Sequence, residues 1–198
     1  MNKSIKNICV FASSSNNVDK IYYKAAYELG VEIAKNSYNI VYGGSKLGLM
    51  GEVTYSASNN GSDITGVMPE KLYNLGIHPG DCTKFILTKD MRTRKQKMDE
   101  LSDAVIALAG GFGTLEELSE MIVQKQLGYS NKPIVILNTN GYYNSLISFF
   151  NEIVQNNFAP KCASDIYYIA PTPKEALNYI NNYAYEQVHY LDSKIKIN

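Results

Sequence analysis

Residues Gly110 to Glu117 read Gly-Gly-Phe-Gly-Thr-Leu-Glu-Glu and follow directly on the apolar run Ala104 to Ala109. Glycines let a backbone turn sharply and let a ligand approach the amide groups without meeting a Cβ. Where such a loop enters a helix, the first N–H groups lack partners and carry partial positive charge. Gly110, Gly111, Phe112, Gly113 and Thr114 therefore form a candidate phosphate cradle, to which Thr114 adds a hydroxyl. The competing reading is a tight strand-to-helix turn. Glu117 also has two readings. Thr114-x-x-Glu117 fits a capping box, and on these residues alone that is the favoured role. The other role is a carboxylate beside a bound anion. Glu116 reads as a solvated acid near a helix start, where its charge is favourable.

Two further stretches carry chemistry. Gly43-Gly44-Ser45-Lys46-Leu47-Gly48-Leu49-Met50-Gly51 follows the apolar run Asn39 to Tyr42. It is either a second anion nest or a place where helix and strand pack closely. Arg92, Arg94, Lys95 and Lys97 crowd the start of another helical stretch, although a helix N-terminus disfavours cations. They form either a solvated face with Asp99 and Glu100 or one wall of an anion site opposite the glycine loop; the anion site is the expectation. The familiar nucleotide fingerprints are missing. No Gly-x-Gly-x-x-Gly follows the first or second strand, Ser13-Ser14-Ser15 stands after the first, and no acid closes the second. Gly44 to Gly48 lacks the following Lys-Ser/Thr of a P-loop. A nicotinamide-dependent oxidoreductase is accordingly disfavoured.

The elements that must position these residues alternate. Strands are expected at 7–13, 39–42, 64–68, 84–88, 104–109, 133–137 and 166–170. Helices are expected at 18–35, 48–58, 90–102, 114–127 and 142–155. The stretch 69–83 reads as loop with one short helical turn. A last helix opens with Thr172 as N-cap, Pro173 at the first helical position and Glu175 as reciprocal cap. In the first helix Ala26, Leu29, Gly30, Ile33 and Ala34 recur at the spacing of one buried face. The strands are continuous apolar runs, as burial on both faces demands. The fold class is α/β: a Rossmann-like open parallel sheet with helices on both faces, one domain over residues 1–198, with a frayed tail at about 186–198. Ligands of such sheets bind outside the carboxyl ends of the strands, where all three stretches fall.

Composition narrows the partners. The 198 residues are 45% apolar and 19% charged with a formal net charge of zero, so no basic excess points to nucleic acid. No apolar run approaches the length of a membrane span. The N-terminus lacks the apolar core of a signal peptide, which gives a cytoplasmic expectation. Cys9, Cys82 and Cys162 form no disulfide framework, and His78 and His189 have no ligand-spaced neighbours, so no metal is expected. No cofactor is expected, and nothing in the residues argues for pyridoxal phosphate. A non-catalytic nucleotide carrier on the same fold stays open.

Taken together, Gly43-Gly44-Ser45-x-x-Gly48-Leu49-Met50-Gly51, Met91-Arg92-Thr93-Arg94-Lys95 and Gly110-Gly111-Phe112-Gly113-Thr114-Leu115-Glu116-Glu117 resemble the LONELY GUY family. These are cytokinin-activating nucleoside 5′-monophosphate phosphoribohydrolases, often labelled lysine decarboxylases. The resemblance covers about Asn7 to Ala170. It implies a Rossmann-like homodimer that hydrolyses the N-glycosidic bond of AMP or N6-modified AMP to free base and ribose 5-phosphate. By motif position Arg94 and Glu117 are the catalytic pair. Gly43, Gly44, Ser45, Gly48, Met50, Met91, Lys95 and Gly110 to Thr114 are the substrate and phosphate contacts. The chain departs from the family pattern at five places: Ala109 replaces a proline, Arg92 a histidine, Ser45 a glycine, Gly76 a glutamate and Val123 a threonine.

Overall fold

The computed structural model describes residues 5–77, 79–80 and 82–185. Among these residues seven strands and seven α-helices follow one another: β1 (Asn7–Phe11), α1 (Lys20–Lys35), β2 (Asn39–Tyr42), α2 (Gly48–Asn59), β3 (Ile64–Pro69), α3 (Glu70–Asn74), β4 (Lys84–Thr88), α4 (Met91–Leu101), β5 (Ala104–Ala107), α5 (Phe112–Gln126), β6 (Ile134–Leu137), α6 (Asn144–Gln155), β7 (Tyr168–Ala170) and α7 (Pro173–Asn181). The sheet order is β4-β3-β2-β1-β5-β6-β7 and every neighbouring pair is parallel. From β1 the chain builds outward to β4, then returns to the far side of β1 as β5. The switch of direction opens a crevice between the carboxyl ends of β1 and β5, where ligands of such sheets bind. Phe11 pairs with Ala107, so the loops after these two strands leave the sheet at the same level.

Alternating strand residues feed two cores, because successive side chains point to opposite faces. Ile8, Val10 and Tyr42 pack with Ala26, Leu29 and Ile33 of α1, Val53 of α2 and Leu177 of α7. Cys9, Phe11 and Val41 pack on the other face with Met98 of α4, Leu118 and Met121 of α5 and, partly buried, Ile147 and Phe150 of α6. The expected α/β sheet covered on both faces is therefore what the chain forms. On the first face α1 and α2 approach closely. A Cβ on Gly30 would stand 2.0 Å from Ser56 Oγ and 2.4 Å from the Val53 carbonyl oxygen, while Ser56 Oγ donates to the Tyr27 carbonyl at 2.7 Å. We expect Gly30→Val to lose about 1–3 kcal/mol of stability through overpacking, read as a lower urea midpoint with an unchanged slope.

Most boundaries fall within a residue or two of those expected, and some shorten. β1 stops at Phe11 and β5 at Ala107, which frees 12–15 and 108–111 as loops. β7 begins at Tyr168 because 161–165 forms a 3₁₀ turn, and α6 starts at Asn144 after another. The Thr172 N-cap holds: Glu175 N donates to its Oγ1 at 3.3 Å. The reciprocal contact differs from the expectation, since the Thr172 hydroxyl donates to Glu175 Oε1 instead. The expected frayed tail at 186–198 lies outside the described residues.

Candidate active site

Three loops meet at the switch point, and backbone bonds hold them together. Ser13 N, after β1, donates to the Ala109 carbonyl, after β5, at 3.2 Å. Met50 N, in the first turn of α2, donates to the Ser13 carbonyl at 3.2 Å. Gly48 N donates to Asn16 Oδ1 at 2.9 Å. Gly48 has φ +59, and a Cβ there would stand 2.6 Å from the Ser14 carbonyl carbon and the Ser15 oxygen. Only glycine suits both the left-handed backbone and the close approach. From the α6 side, Tyr142 Oη donates to the Gly110 carbonyl and Tyr143 Oη to the Leu108 carbonyl, each at 2.7 Å. These two tyrosines fix the loop that enters α5, a role with no local sequence signal.

α5 begins at Phe112 with Gly111 as N-cap, two residues before the expected Thr114. The first intrahelical bond to reach back runs from Leu115 N to the Gly111 carbonyl at 3.0 Å. The N–H groups of Phe112, Gly113 and Thr114 precede it and are the orphan donors of this terminus. Among the described residues no side chain caps them, and the first turn holds no acid. The capping-box reading of Thr114 and Glu117 is thereby corrected: both lie inside the helix. Thr114 instead leans over Gly110, whose Cβ would meet Thr114 Oγ1 at 2.1 Å.

Glu117 turns its carboxylate to α4. Arg94 Nη2 donates to Glu117 Oε1 at 2.7 Å, and both side chains are under a tenth exposed. Two local features aim Arg94. Asp90 caps α4 by accepting from Thr93 N at 2.8 Å, which sets the first turn. Gly43 leaves room for the guanidinium, since a Cβ there would stand 2.4 Å from Nη2. Arg94 Nη1 contacts Met91 Sδ at 3.5 Å. Arg94 Nε is buried and meets no acceptor among the described residues. A buried donor left unmatched costs about 1–3 kcal/mol, so this site favours an additional acceptor. Burial pushes the Glu117 carboxyl above its usual range, and the pull of Arg94 in the other direction does not cancel it.

A cavity of about 410 Å³ opens in front of this pair. Of the expected contacts, Gly43, Ser45, Met50, Met91, Arg94, Gly111, Gly113, Thr114 and Glu117 line it. Gly44, Gly48, Gly110, Phe112 and Lys95 do not. Gly44, with φ +82, and Gly48 shape the loop behind the wall. Phe112 is 93% exposed. Lys95 turns to Glu116 and Glu120 of α5. Ser13, Ser14 and Ser15 join the lining, as do Met68, Leu72 and Ile77. The serines carried a legible signal, since they follow a parallel strand. The three apolar residues carried none. Of the departures from the family pattern, Arg92 is exposed, and Gly76 at φ +82 has nothing within 4 Å of its Cβ position. Val123 is half-exposed on α5 and lies outside the cavity wall. No group of three or more His, Cys, Asp or Glu that could hold a metal occurs among the described residues.

The model of a family described as "Possible lysine decarboxylase" matches residues 50–180. A probable cytokinin riboside 5′-monophosphate phosphoribohydrolase of Oryza sativa subsp. japonica is 42% identical over 179 residues, covering 90% of this chain and 73% of that protein. A cytokinin riboside 5′-monophosphate phosphoribohydrolase of Arabidopsis thaliana is 40% identical over 185 residues, covering 93% and 86%. Among solved structures, the molybdenum cofactor binding protein of Rippkaea orientalis superposes with a TM-score of 0.69 at 21% identity, over 91% of this chain and 98% of that one. The molybdenum cofactor carrier protein of Chlamydomonas reinhardtii gives 0.67 at 21% identity, over 90% and 97%. At that identity the two structures share the fold, which hosts many functions.

Proposed function

This chain belongs to the family of cytokinin riboside 5′-monophosphate phosphoribohydrolases, the LONELY GUY family, and from that premise we propose that it hydrolyses the N-glycosidic bond of an N6-prenylated adenosine 5′-monophosphate, and of AMP itself, to free base and ribose 5-phosphate. The observation that carries the reading is the buried Arg94–Glu117 pair, which faces a nucleotide-sized cavity at the switch point. The orphan N–H groups that open α5, with the Thr114 hydroxyl, receive the 5′-phosphate. Glu117 follows Thr114 by three residues, about 4.5 Å along the helix axis, which suits the ribose next to a phosphate held at the terminus.

Departure of the base leaves positive charge on the ribose, as in glycoside hydrolysis generally. The Glu117 carboxylate stabilises that charge and accepts a proton from the water that attacks C1′. The C1′–N bond breaks, its electron pair leaves with the base, and the base takes up a proton. Arg94 holds the carboxylate in place and offers its remaining donors to the substrate. Met50, Met68, Leu72, Ile77 and Met91 give the cavity an apolar side for the base and an N6 substituent. Schiff-base chemistry of the decarboxylase type needs a lysine at the site, and among the described residues that line the cavity there is none.

Glu117 acts ionised in this scheme, and its carboxyl is held above the usual range. We therefore expect kcat to rise with pH through a limb higher than that of an ordinary glutamate, and the limb to vanish in Glu117→Gln. A limb at or below the ordinary glutamate position would count against the assignment. Substrate choice is tested by the initial rates of base release from isopentenyl-AMP, AMP and adenosine. The reading expects the prenylated nucleotide to lead and the nucleoside, which lacks the phosphate, to trail far behind. Equal rates for AMP and adenosine would remove the phosphate cradle from the account. The working unit is proposed to be a cytoplasmic homodimer, in keeping with the family resemblance, with the exposed Val123, Leu127 and Phe149 as apolar surface for a partner. Sedimentation of the purified chain tests the dimer.

A further inference from the structure

Lys95 stands beside Arg94 on α4 but turns away from the substrate cavity. Its ammonium contacts Glu116 and Glu120 of α5, the residue before Glu117 and the residue one turn after it. The Lys95 side chain is only 16% exposed, whereas Glu116 and Glu120 are more open. Behind Glu117, between the two helices, lies a second space of about 100 Å³ lined by Lys95, Gln96, Asp99, Glu117 and Glu120 among others. Glu117 thus lines the substrate cavity on one side and, on the other, a smaller gap walled also by Phe11 and Met121. Beside that gap the Lys95 ion pairs join α4 to α5 on either side of Glu117, in addition to its own bond to Arg94.

We propose that Lys95 is a positioning residue for the hydrolysis: by clamping Glu116 and Glu120 it locks the first turns of α5 onto α4 and so fixes the reach of Glu117 towards C1′. The inference rests on the hydrolytic reading above. It replaces the direct phosphate contact that the motif position suggested for Lys95. The clamp also sets charge. The charged and titratable groups around Glu117 are Arg94, Lys95 and Asp99 from α4, Glu116 and Glu120 from its own helix, and the buried Cys9 thiol from β1. Lys95 offsets the two flanking acids. Without it, Glu116 and Glu120 face Glu117 uncompensated and favour its protonated form.

The experiment is steady-state kinetics of the purified full chain with AMP and isopentenyl-AMP across acid and neutral pH. Wild type, Lys95→Met, Lys95→Arg and Glu120→Gln are compared. For Lys95→Met the expected kcat is about tenfold lower or less, with KM within about twofold, the scale of a slightly misplaced catalytic group. Its acid limb moves to higher pH, and Lys95→Arg restores most of the rate. Glu120→Gln loosens the clamp but removes an anion, so kcat falls while the acid limb moves the opposite way. A generic structural role would not give opposite movements. Raised KM with preserved kcat in Lys95→Met would return Lys95 to the phosphate and overturn the clamp. An unchanged rate and pH profile would overturn it too. Should Lys95→Met fail to fold, the Glu120→Gln and Lys95→Arg limbs decide the question. Base release by wild type alongside an unaffected Lys95→Met would sink only the clamp; no base release by wild type would sink the hydrolytic reading with it.

Discussion

Glu117→Gln is expected to fold, to bind AMP and to release base at least about 10²-fold more slowly than wild type, the scale of a lost acid–base group. Glutamine keeps the shape and an acceptor for Arg94 Nη2, now 2.7 Å from Glu117 Oε1. What it loses is the negative charge opposite C1′ and the ability to take a proton from water. It also leaves the Arg94 guanidinium without its counterion in a nearly buried position, so some stability is lost, about 1–3 kcal/mol. Circular dichroism and calorimetric AMP binding separate the two effects. Wild-type turnover in a variant that has truly lost the carboxylate would move the chemistry to another group.

Arg94→Ala is expected to show the second large effect, and for two reasons that can be told apart. The pair is almost fully buried. Removing the cation strands the Glu117 carboxylate, which burial already holds above its usual range, and breaking such a pair costs about 3–5 kcal/mol. The carboxyl then stays protonated to still higher pH, so the surviving activity shifts upward in pH as well as falling. Arg94→Lys keeps the charge but not the planar fork: its ammonium is a compact charge of shorter reach whose donors are not held in that fixed geometry. We expect it to fold with near-normal stability and still to lose most of the rate. Full activity in Arg94→Lys would reduce Arg94 to a counterion.

Much of the scaffold was legible because its signals are local. Val105, Ile106 and their neighbours form the short apolar run expected of a strand buried on both faces, and the two residues do feed opposite cores. The Ala26, Leu29, Gly30, Ile33 spacing of α1 places a buried helix face without reference to anything distant. The site was legible only in part because its decisive contacts are not local. Thr114-x-x-Glu117 satisfies a capping pattern equally well, and nothing within the segment says that Gly111 starts the helix two residues earlier. Arg94 is 23 residues away from Glu117 in sequence and meets it only because α4 and α5 pack on the same face. Family motifs singled out the pair; composition and spacing could not. Lys95 shows the converse, since its motif position suggests the substrate while its contacts are Glu116 and Glu120, which do not line the cavity. Ser13 to Ser15 read in the sequence as the absence of a glycine fingerprint, although their place after β1 at the switch point is itself a signal.

The most direct test of the central claim is the identity of the products. Purified wild-type protein is incubated with isopentenyl-AMP and the mixture separated by chromatography with mass detection, with Glu117→Gln in parallel. The account predicts free isopentenyladenine and ribose 5-phosphate in equal amounts from wild type, and unreacted nucleotide from the variant. Intact nucleotide from both, or nucleoside and inorganic phosphate in place of base and sugar phosphate, would contradict it.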